Sequence, residues 1–522
     1  MPHGCQRARF IALTTFAILL CALVAPATAQ ISKGHQILID RGLQVQGMVT
    51  TGDNFHIDTY KNANYSTVNW LWESNFAQLG TEQNFPWARW VGDESTMPAG
   101  AEVAHAGSMV ALQLGDEWNL NDDAVRTRSV NWLNSVRSQY PNTLLYMNNW
   151  GTQIGDAALG DFVQRAKPDL LCFDTYPYQS TYIANPPPGG SHVGAPIGGP
   201  PTGWYGDLRR YRVHALNAKI PFGNYRQTFH AVQDYNATVY RDPSPSEQNL
   251  NTFGALAFGA TYLIDFTYNT GATSMFNPPG GDSNPNAAYT RQADLNLRAR
   301  SLGTSLTRLV PIHDTPNGGA PTTDILFLRG KTGPGTTDVT PLPTGFAADD
   351  ALPNTMSEWV SGQNDPWMAG FVVTNLGTRN GGLRGDALIS WFKPLDATLD
   401  DPADPDDQLY FMITNGMTGI DGAADEYRQQ IQINFLAATP RAEGDTIPSV
   451  LRFNQLTGDV EKVFLEQIPS TARWKLVLQL DGGMGELYKF NTGGGFVGVP
   501  EPASLSLLGL GLLMLRRRPR IR

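Results

Sequence analysis

Eight short apolar segments recur between residues 45 and 266, and this recurrence constrains the fold more than any other feature. Spacers long enough to hold a helix separate most of them. The fourth, within 108–119, is a continuous apolar run that suits a parallel strand buried on both faces. The segments are 45–49, 68–72, 87–91, 108–119, 143–147, 169–173, 220–225 and 260–266. Eight alternating strand and helix units predict an α/β fold, a (β/α)8 TIM barrel.

Helical patterns fill the spacers between these segments. In 123–139, apolar residues recur on one helix face, and 159–166 ends before Pro168, as helices commonly do. A helix at 288–309 is expected to close the barrel domain, which we place at 30–312. The third unit contains little helical pattern.

The second half of the chain has a different pattern. Residues 313–355 are rich in Pro, Gly and Thr, which predicts a linker, with one edge strand at 325–329. From 356 to 498, short alternating segments are separated by turn residues, which predicts an all-β sandwich domain. Its expected strands include 370–373, 409–414, 431–435, 450–453 and 474–480.

The N-terminus has the three parts of a secretory signal peptide. Arg7 and Arg9 precede an apolar stretch, Phe10–Val24, and small residues at 27–29 supply a cleavage site. The predicted signal, 1–29, implies export and contains two of the three cysteines. The mature chain would keep only Cys172, so no internal disulfide is expected.

The C-terminus, 499–522, is also tripartite. Val499–Pro502 contains the letters PEP, and an apolar run, 503–515, leads to Arg516–Arg518. This tail resembles the PEP-CTERM sorting signal of Gram-negative-type bacteria. The resemblance implies an exosortase as partner, transient membrane association, and delivery to the cell surface or extracellular matrix. A plain tail anchor remains the alternative, although 13 residues are few for a membrane span.

Charge and motif content exclude several function classes. A net charge of −10 and a pI near 5.3 argue against nucleic acid as a partner. The eight histidines have no metal-ligand spacing, and no phosphate-binding glycine loop occurs, so we expect neither a metal site nor a cofactor. The acidic run 400–407 suits either Ca²⁺ or, as we favour, a solvated loop.

Aromatic and polar residues collect at the ends of the predicted barrel strands. Rings stack on the faces of sugars, and amides and carboxylates bind hydroxyl groups. In a TIM barrel all these ends lie on the face that carries active sites. The sequence therefore predicts a carbohydrate site. Its expected sugar contacts are Trp72, Trp118, Asn149, Trp150, Tyr176, Tyr178, Gln227 and Tyr268.

Five motifs carry a resemblance to a known group. In chain order they read LQLGDEWN, YPNTLLYMNN, AKPDLLCFDTYPY, IPFGNYRQTF and SPSEQNLNTFGALAFGATYLIDFTYN. Over residues 40–310 the sequence resembles bacterial TIM-barrel glycosidase-like proteins, similar to clan-A glycoside hydrolases and the family 42 β-galactosidases. The resemblance implies hydrolysis of glycosidic bonds, with Glu117 as the general acid/base. Where the clan has Asn before this Glu, the chain has Asp116.

The second catalytic carboxylate is not given by the resemblance. The clan places a Glu at the end of strand seven, but the chain reads YRQ at 225–227. Asp174 and Asp265, at the ends of strands six and eight, are the better candidates. Glu247 has the spacing of a helix capping box with Ser244. Strand alternation would point Asp116 away from Glu117, as a positioning or barrel-interior residue.

Three hypotheses follow. The first is an exported, surface-sorted glycoside hydrolase acting on a polysaccharide or oligosaccharide. The second is a non-catalytic carbohydrate-binding or matrix protein, a barrel that has lost the strand-seven acid. In the third, the β-sandwich carries the function and the barrel is a scaffold.

Overall fold

A computed structural model describes residues 31–49, 55–197, 202–313, 325–329, 356–359, 365–379, 386–395, 408–437 and 439–499. The predicted signal peptide, the acidic run at 400–407 and the sorting signal beyond Val499 lie outside these residues, so their predictions stand as predictions. None of the helices among the described residues is long and apolar enough to cross a membrane.

Eight parallel strands close into a barrel, as the sequence predicts. They are β1 (Gln44–Met48), β2 (Thr67–Asn69), β3 (Trp87–Val91), β4 (Met109–Asp116), β5 (Leu144–Trp150), β6 (Leu171–Asp174), β9 (Phe222–Gln227) and β12 (Tyr262–Phe266). Their order around the barrel is β1-β12-β9-β6-β5-β4-β3-β2. β1 pairs with both β2 and β12, and this pairing closes the barrel. The chain is therefore a TIM barrel followed by antiparallel sheets.

Helices cover the outside of the barrel. They are α1 (Lys33–Arg41), α2 (Ile57–Asn62), α3 (Gly100–Ala104), α4 (Asp123–Val136), α5 (Asp156–Ala166), α6 (Thr202–Ala218), α7 (Pro245–Ala257) and α8 (Ala287–Leu306). The third unit, which has little helical pattern, contains only the five-residue α3. The predicted capping box at the start of α7 is confirmed: Ser244 accepts a hydrogen bond from the Glu247 amide, and Glu247 accepts one from the Ser244 amide.

Two loops at the C-terminal end of the barrel build a further small sheet. Its strands are β7 (Gln179–Tyr182), β8 (Val193–Pro196), β10 (Ala231–Gln233) and β11 (Thr238–Tyr240). They pair antiparallel in the order β10-β11-β7-β8. The sequence pattern does not predict this sheet, because each strand has only three or four residues and one of them contains Pro196. It brings the loops after β6 and β9 together.

The C-terminal part is a β-sandwich of two sheets. Its strands are β13 (Leu309–Pro311), β14 (Leu326–Arg329), β15 (Ser357–Glu358), β16 (Met368–Asn375), β17 (Asp386–Pro394), β18 (Tyr410–Asn415), β19 (Gln429–Phe435), β20 (Ser449–Phe453), β21 (Val460–Phe464), β22 (Glu466–Gln467), β23 (Trp474–Leu480) and β24 (Gly485–Phe490). One sheet has the order β15-β14-β17-β18-β24-β20-β21, with β13 also on β17, and the other has the order β16-β19-β23-β22.

The strand at 325–329, predicted as an edge strand within the linker, lies inside the larger sheet. β14 pairs with β15 on one side and β17 on the other. The reason is packing on both faces: Leu326 and Leu328 join the sandwich core, whereas Phe327 contacts Tyr205 of the barrel at 5.5 Å. Residues 325–329 are thus part of the sandwich rather than of a linker. The domain bounds given above otherwise remain predictions.

Helix α7 of the barrel packs against the sandwich. All of its residues from Ser246 to Ala257 are buried. Its Asn249 amide donates to the Gly482 carbonyl (2.9 Å), and the Gly419 amide donates to the Ser246 hydroxyl (3.0 Å). The sandwich therefore covers an outer face of the barrel, and the C-terminal ends of β4, β5 and β6 remain open to a cavity.

Candidate active site

The end of β4 turns two adjacent carboxylates into one cavity. Gly115 has φ +78° and Glu117 has φ +49°, both in the left-handed region, which is unusual for a glutamate. Strand alternation therefore stops at this point. The prediction that Asp116 would point away from Glu117 is corrected, because both side chains line the same cavity.

This cavity lies at the C-terminal ends of the barrel strands, the face on which TIM barrels carry their active sites. It has a volume of about 620 Å³. Its floor carries three carboxylates: Asp116 and Glu117 from the end of β4, and Asp174 from the end of β6. Glu117 and Asp174, both predicted from the sequence, are brought together and share a side-chain hydrogen bond.

A hydrogen-bond network fixes Asp116. Its Oδ1 accepts from Gln113 Nε2 (2.9 Å) and from Asn148 Nδ2 (3.0 Å). The same Asn148 amide lies 3.3 Å from Oδ1 of Asp174, so one donor joins two carboxylates. The Tyr225 hydroxyl donates to Oε1 of Gln113 (2.7 Å), which orients that amide. Among the described residues, these bonds reach only Oδ1 of Asp116 and leave its Oδ2 available to a ligand or water.

Burial raises the pKa of two of these carboxyl groups, those of Asp116 and Asp174. Burial raises the pKa of Asp116 to about 6, although the hydrogen bond from Asn148 opposes the shift. Burial also raises the pKa of Asp174 well above its usual range, and its hydrogen bond and charge interaction with Glu117 add to the effect. Asp174 therefore keeps its proton to a higher pH than an ordinary aspartate does.

Aromatic rings form the walls. Trp70 stacks on Trp90, with ring centroids 4.8 Å apart, and faces the cavity from the end of β2. Trp150, at the end of β5, is 46% exposed at the rim. The loop between β10 and β11 adds Tyr235, which is 84% exposed. Flat rings on several sides of a polar floor suit the binding of a sugar chain.

Of the eight predicted sugar contacts, Trp150 and Tyr176 line the cavity. Trp72 and Trp118 do not, because both are held in other contacts. The Arg89 guanidinium lies 3.7 Å from the centre of the Trp72 ring. Trp118 stacks on Trp132 of α4 at 5.6 Å. Both predictions are therefore corrected.

The four remaining predicted contacts are also buried away from the cavity. Asn149 donates to the carbonyls of Met147 and Cys172 inside the barrel wall. Gln227 exchanges hydrogen bonds with the backbone of Tyr178, whose hydroxyl donates to the Glu247 carbonyl. The Tyr268 hydroxyl donates to Asp282 (2.9 Å). Their polar atoms bind the protein itself, so none of them is kept as a sugar contact.

Asp265 is the third predicted catalytic residue, and it lies outside the cavity. Its side chain is fully buried and pairs with Arg226 Nε at 2.7 Å. The Tyr65 hydroxyl donates to its other oxygen (2.6 Å). Burial raises the pKa of Asp265, while Arg226 and Tyr65 oppose the shift. Because the carboxylate is enclosed and neutralised by Arg226, its role is corrected from catalysis to structure.

Several site residues escaped the sequence analysis. Trp70 stands two positions before the predicted Trp72, but its φ of +59° ends the strand and turns its ring into the cavity. Asp116 was expected elsewhere, Tyr225 lies within β9, and Phe229 and Tyr240 lie in the segment after β9 that helps to build the small sheet. The segments WLW at 70–72 and DE at 116–117 lie at the strand ends that border the cavity. The backbone turns determine which of their side chains face it. Among the described residues, no group of three or more His, Cys, Asp or Glu side chains could hold a metal ion.

Comparison with known proteins finds matches among solved structures. No family model and no curated protein matches the sequence. A GH128 (subgroup I) endo-β-1,3-glucanase from Amycolatopsis mediterranei, in complex with laminaritriose, aligns at 12% identity and TM-score 0.32, over 49% of this chain and 99% of its own.

Two further solved structures are similar at the same level. An α-amylase from Geobacillus thermoleovorans, complexed with acarbose, aligns at 9% identity and TM-score 0.35, over 86% of this chain and 98% of its own. An endo-1,4-β-D-mannanase from Thermotoga petrophila aligns at 9% identity and TM-score 0.32, over 50% and 99%. The barrel assignment itself rests on the strand pairing described above.

Proposed function

We propose that the protein is a glycoside hydrolase that cleaves a polysaccharide or oligosaccharide by carboxylate acid/base catalysis. One observation carries the proposal: three carboxylates meet on the floor of an aromatic-walled cavity at the C-terminal end of a TIM barrel. Glycosidic-bond hydrolysis needs a proton donor and a second carboxylate on the other side of the reacting carbon. The carboxyl groups of the cavity can fill both of these roles.

Glu117 is the proton donor. It shares a side-chain hydrogen bond with Asp174, whereas paired catalytic carboxylates are typically separated by about 5 Å in retaining enzymes and by more than about 6.5 Å in inverting enzymes. Asp174 is therefore not the second catalytic carboxylate, and Glu117 passes its proton to the glycosidic oxygen as the C–O bond breaks. Asp174 supports Glu117 and accepts part of the charge left behind.

Asp116 is the second carboxylate. Its Oδ1 is held by Gln113 and Asn148, and Oδ2 takes the proton of the attacking water. The water oxygen bonds to the anomeric carbon, and the leaving sugar gains the proton from Glu117. Asp116 then releases its proton to solvent and Glu117 takes one up, so both carboxyl groups return to their starting states. A pKa of about 6 keeps Asp116 ionised at neutral pH, as a base requires.

Export and sorting to the cell surface complete the proposal. The tripartite segments at 1–29 and 499–522 support it, with an exosortase-type enzyme as partner for the tail. Deleting residues 499–522 should move the protein from the cell surface into the medium. Surface delivery that persists without the tail would contradict this part.

A non-catalytic carbohydrate-binding protein is the second candidate. The end of β9 favours it, since Arg226 there is engaged by Asp265 and no carboxylate from β9 is among the described residues that line the cavity. Such a protein would retain the aromatic rings that bind sugar and would not hydrolyse it. A function carried by the sandwich alone is the third candidate.

The deciding experiment measures hydrolysis of a panel of neutral and amino-sugar polysaccharides by the full chain and by Glu117→Gln. We expect the variant to lose hydrolysis and to retain folding and sugar binding. Sugar binding by both proteins with hydrolysis by neither would favour the second candidate. Binding of polysaccharide that survives Trp150→Ala and the loss of the cavity carboxylates would favour the sandwich.

A further inference from the structure

The cavity contains more negative charge than its hydrolytic chemistry requires. Two carboxylates suffice for glycosidic hydrolysis, and three line this floor. Among the described residues that line the cavity, none is Lys, Arg or His. The two undescribed segments of the barrel, 50–54 and 198–201, contain no Lys, Arg or His residue either.

Three buried carboxylates elsewhere in the protein are paired with arginine. Asp265 pairs with Arg226 at 2.7 Å, Glu102 with Arg89 at 2.5 Å, and Glu247 with Arg241 at 2.5 Å. Such pairing offsets the free-energy cost of removing a charge from water. Asp116 and Asp174 are held by the neutral amides of Gln113 and Asn148 instead. Among the described residues no cation pairs with Asp116, so its charge is left for a ligand to neutralise.

The walls suit a positively charged ligand as well. Eight of the nineteen described lining residues are aromatic, and rings attract cations at their faces. Tyr176, Tyr225 and Tyr240 line the cavity together with the three carboxylates, so rings and carboxylates face the same space. Asp116, whose pKa is about 6, is ionised at pH 7, so the floor carries negative charge.

We propose that the substrate is a glycan containing unsubstituted amino sugars, whose ammonium group binds between Asp116, Asp174 and the surrounding rings. This inference rests on the proposed function, since it takes the cavity as a sugar site. It names the class of sugar that the charge selects. Uronic acids and sulfated sugars are excluded from the cavity by repulsion, and neutral sugars bind without the charge contribution.

The test compares sugars that differ only in charge. The full chain is titrated at pH 7 with glucosamine, N-acetylglucosamine, glucose and glucuronate, and with the galacto-configured series, while tryptophan fluorescence reports on Trp70 and Trp150. We expect one amino sugar to bind at least about tenfold more tightly than its neutral parent, and the uronate to bind most weakly. N-acetylation, which removes the charge, should abolish the preference.

Variants separate the charge from the shape of the site. Asp116→Asn and Asp174→Asn should each reduce the ratio of amino-sugar to neutral-sugar affinity by about tenfold. Glu443→Gln removes one exposed carboxylate of the sandwich and should leave this ratio unchanged. Circular dichroism of each variant shows whether it is folded.

Three outcomes would overturn the inference: equal affinity for the amino sugar and its neutral parent, binding of neither, or binding of tetramethylammonium as tightly as the amino sugar. Its failure is distinct from failure of the proposed function. Hydrolysis of neutral glycans without any ammonium preference would remove this inference alone. An ammonium preference without hydrolysis of any glycan would remove the enzyme and keep the charge-selective site.

Discussion

Two sides of the barrel mouth carry aspartates at equivalent strand ends, and their surroundings differ. At the ends of β4 and β6, Asp116 and Asp174 face an open cavity with amide donors and no cation among the described lining residues. At the end of β12, Asp265 is enclosed with Arg226 of β9. A strand end is therefore insufficient to define a catalytic carboxylate. The partner of the carboxylate decides whether it can face a ligand or is enclosed within the fold.

The largest expected effect is on the cavity side. Glu117→Gln removes the donated proton but preserves shape, so hydrolysis should fall by roughly 100-fold to 10,000-fold. Steady-state hydrolysis of the best substrate in the panel measures it, and the thermal midpoint should stay within a few degrees. Activity within a factor of three of the wild type would remove Glu117 from the mechanism.

The matched substitution on the opposite side should affect stability instead. Asp265→Asn leaves Arg226 buried without its counter-ion, which typically costs about 3–5 kcal/mol in the free energy of unfolding. Urea unfolding measures the loss. Turnover per folded molecule should remain close to that of the wild type. A stable Asp265→Asn protein without activity would return Asp265 to the site.

Lowering the pH should reduce hydrolysis, because it protonates Asp116. The proposed base must be ionised, so kcat/KM should fall as the pH drops below about 6, the raised pKa of Asp116. Asp116→Asn should lower the rate at pH 7 and remove this acid limb. An acid limb that persists unchanged in Asp116→Asn would assign it to another group.

The free energy of unfolding should change with pH in the direction opposite to kcat/KM. The folded-state pKa of Asp116 is raised above its usual value of 3.8, so the folded protein binds this proton more tightly than the unfolded chain. The resulting stabilisation is complete below about pH 4 and is lost as the pH rises through about 6, and it amounts to about 3 kcal/mol. Comparing unfolding of wild type and Asp116→Asn at pH 5 and pH 8 isolates it; a pH difference equal in both proteins would contradict it.

The smallest expected effect concerns the rim. Trp150→Ala removes an exposed ring and should weaken sugar binding by about tenfold, mainly through KM. Phe464→Ala removes a comparably exposed ring from the sandwich and serves as the control. Equal losses in both variants would place sugar binding on the sandwich as well as in the cavity.

The positions of the barrel strands could be read from the sequence, because each is a short apolar run between helix-length spacers. The third strand was predicted with its observed bounds, Trp87–Val91, and the weak helical pattern after it corresponds to the short α3. The small sheet could not be found, because its strands are short and pair across two loops far apart in the chain. Local pattern contains no information on such pairing.

For the site, the sequence by itself determined that polar and aromatic residues gather at one end of the barrel, since that follows from where each apolar run stops. Glu117, Asp174, Trp150 and Tyr176 were found in this way. Only the tertiary structure decided which side chains face the cavity. Left-handed turns at Trp70 and Glu117 redirect neighbouring residues, and burial beside Arg226 withdraws Asp265. Both depend on contacts between distant segments, which a linear pattern does not encode.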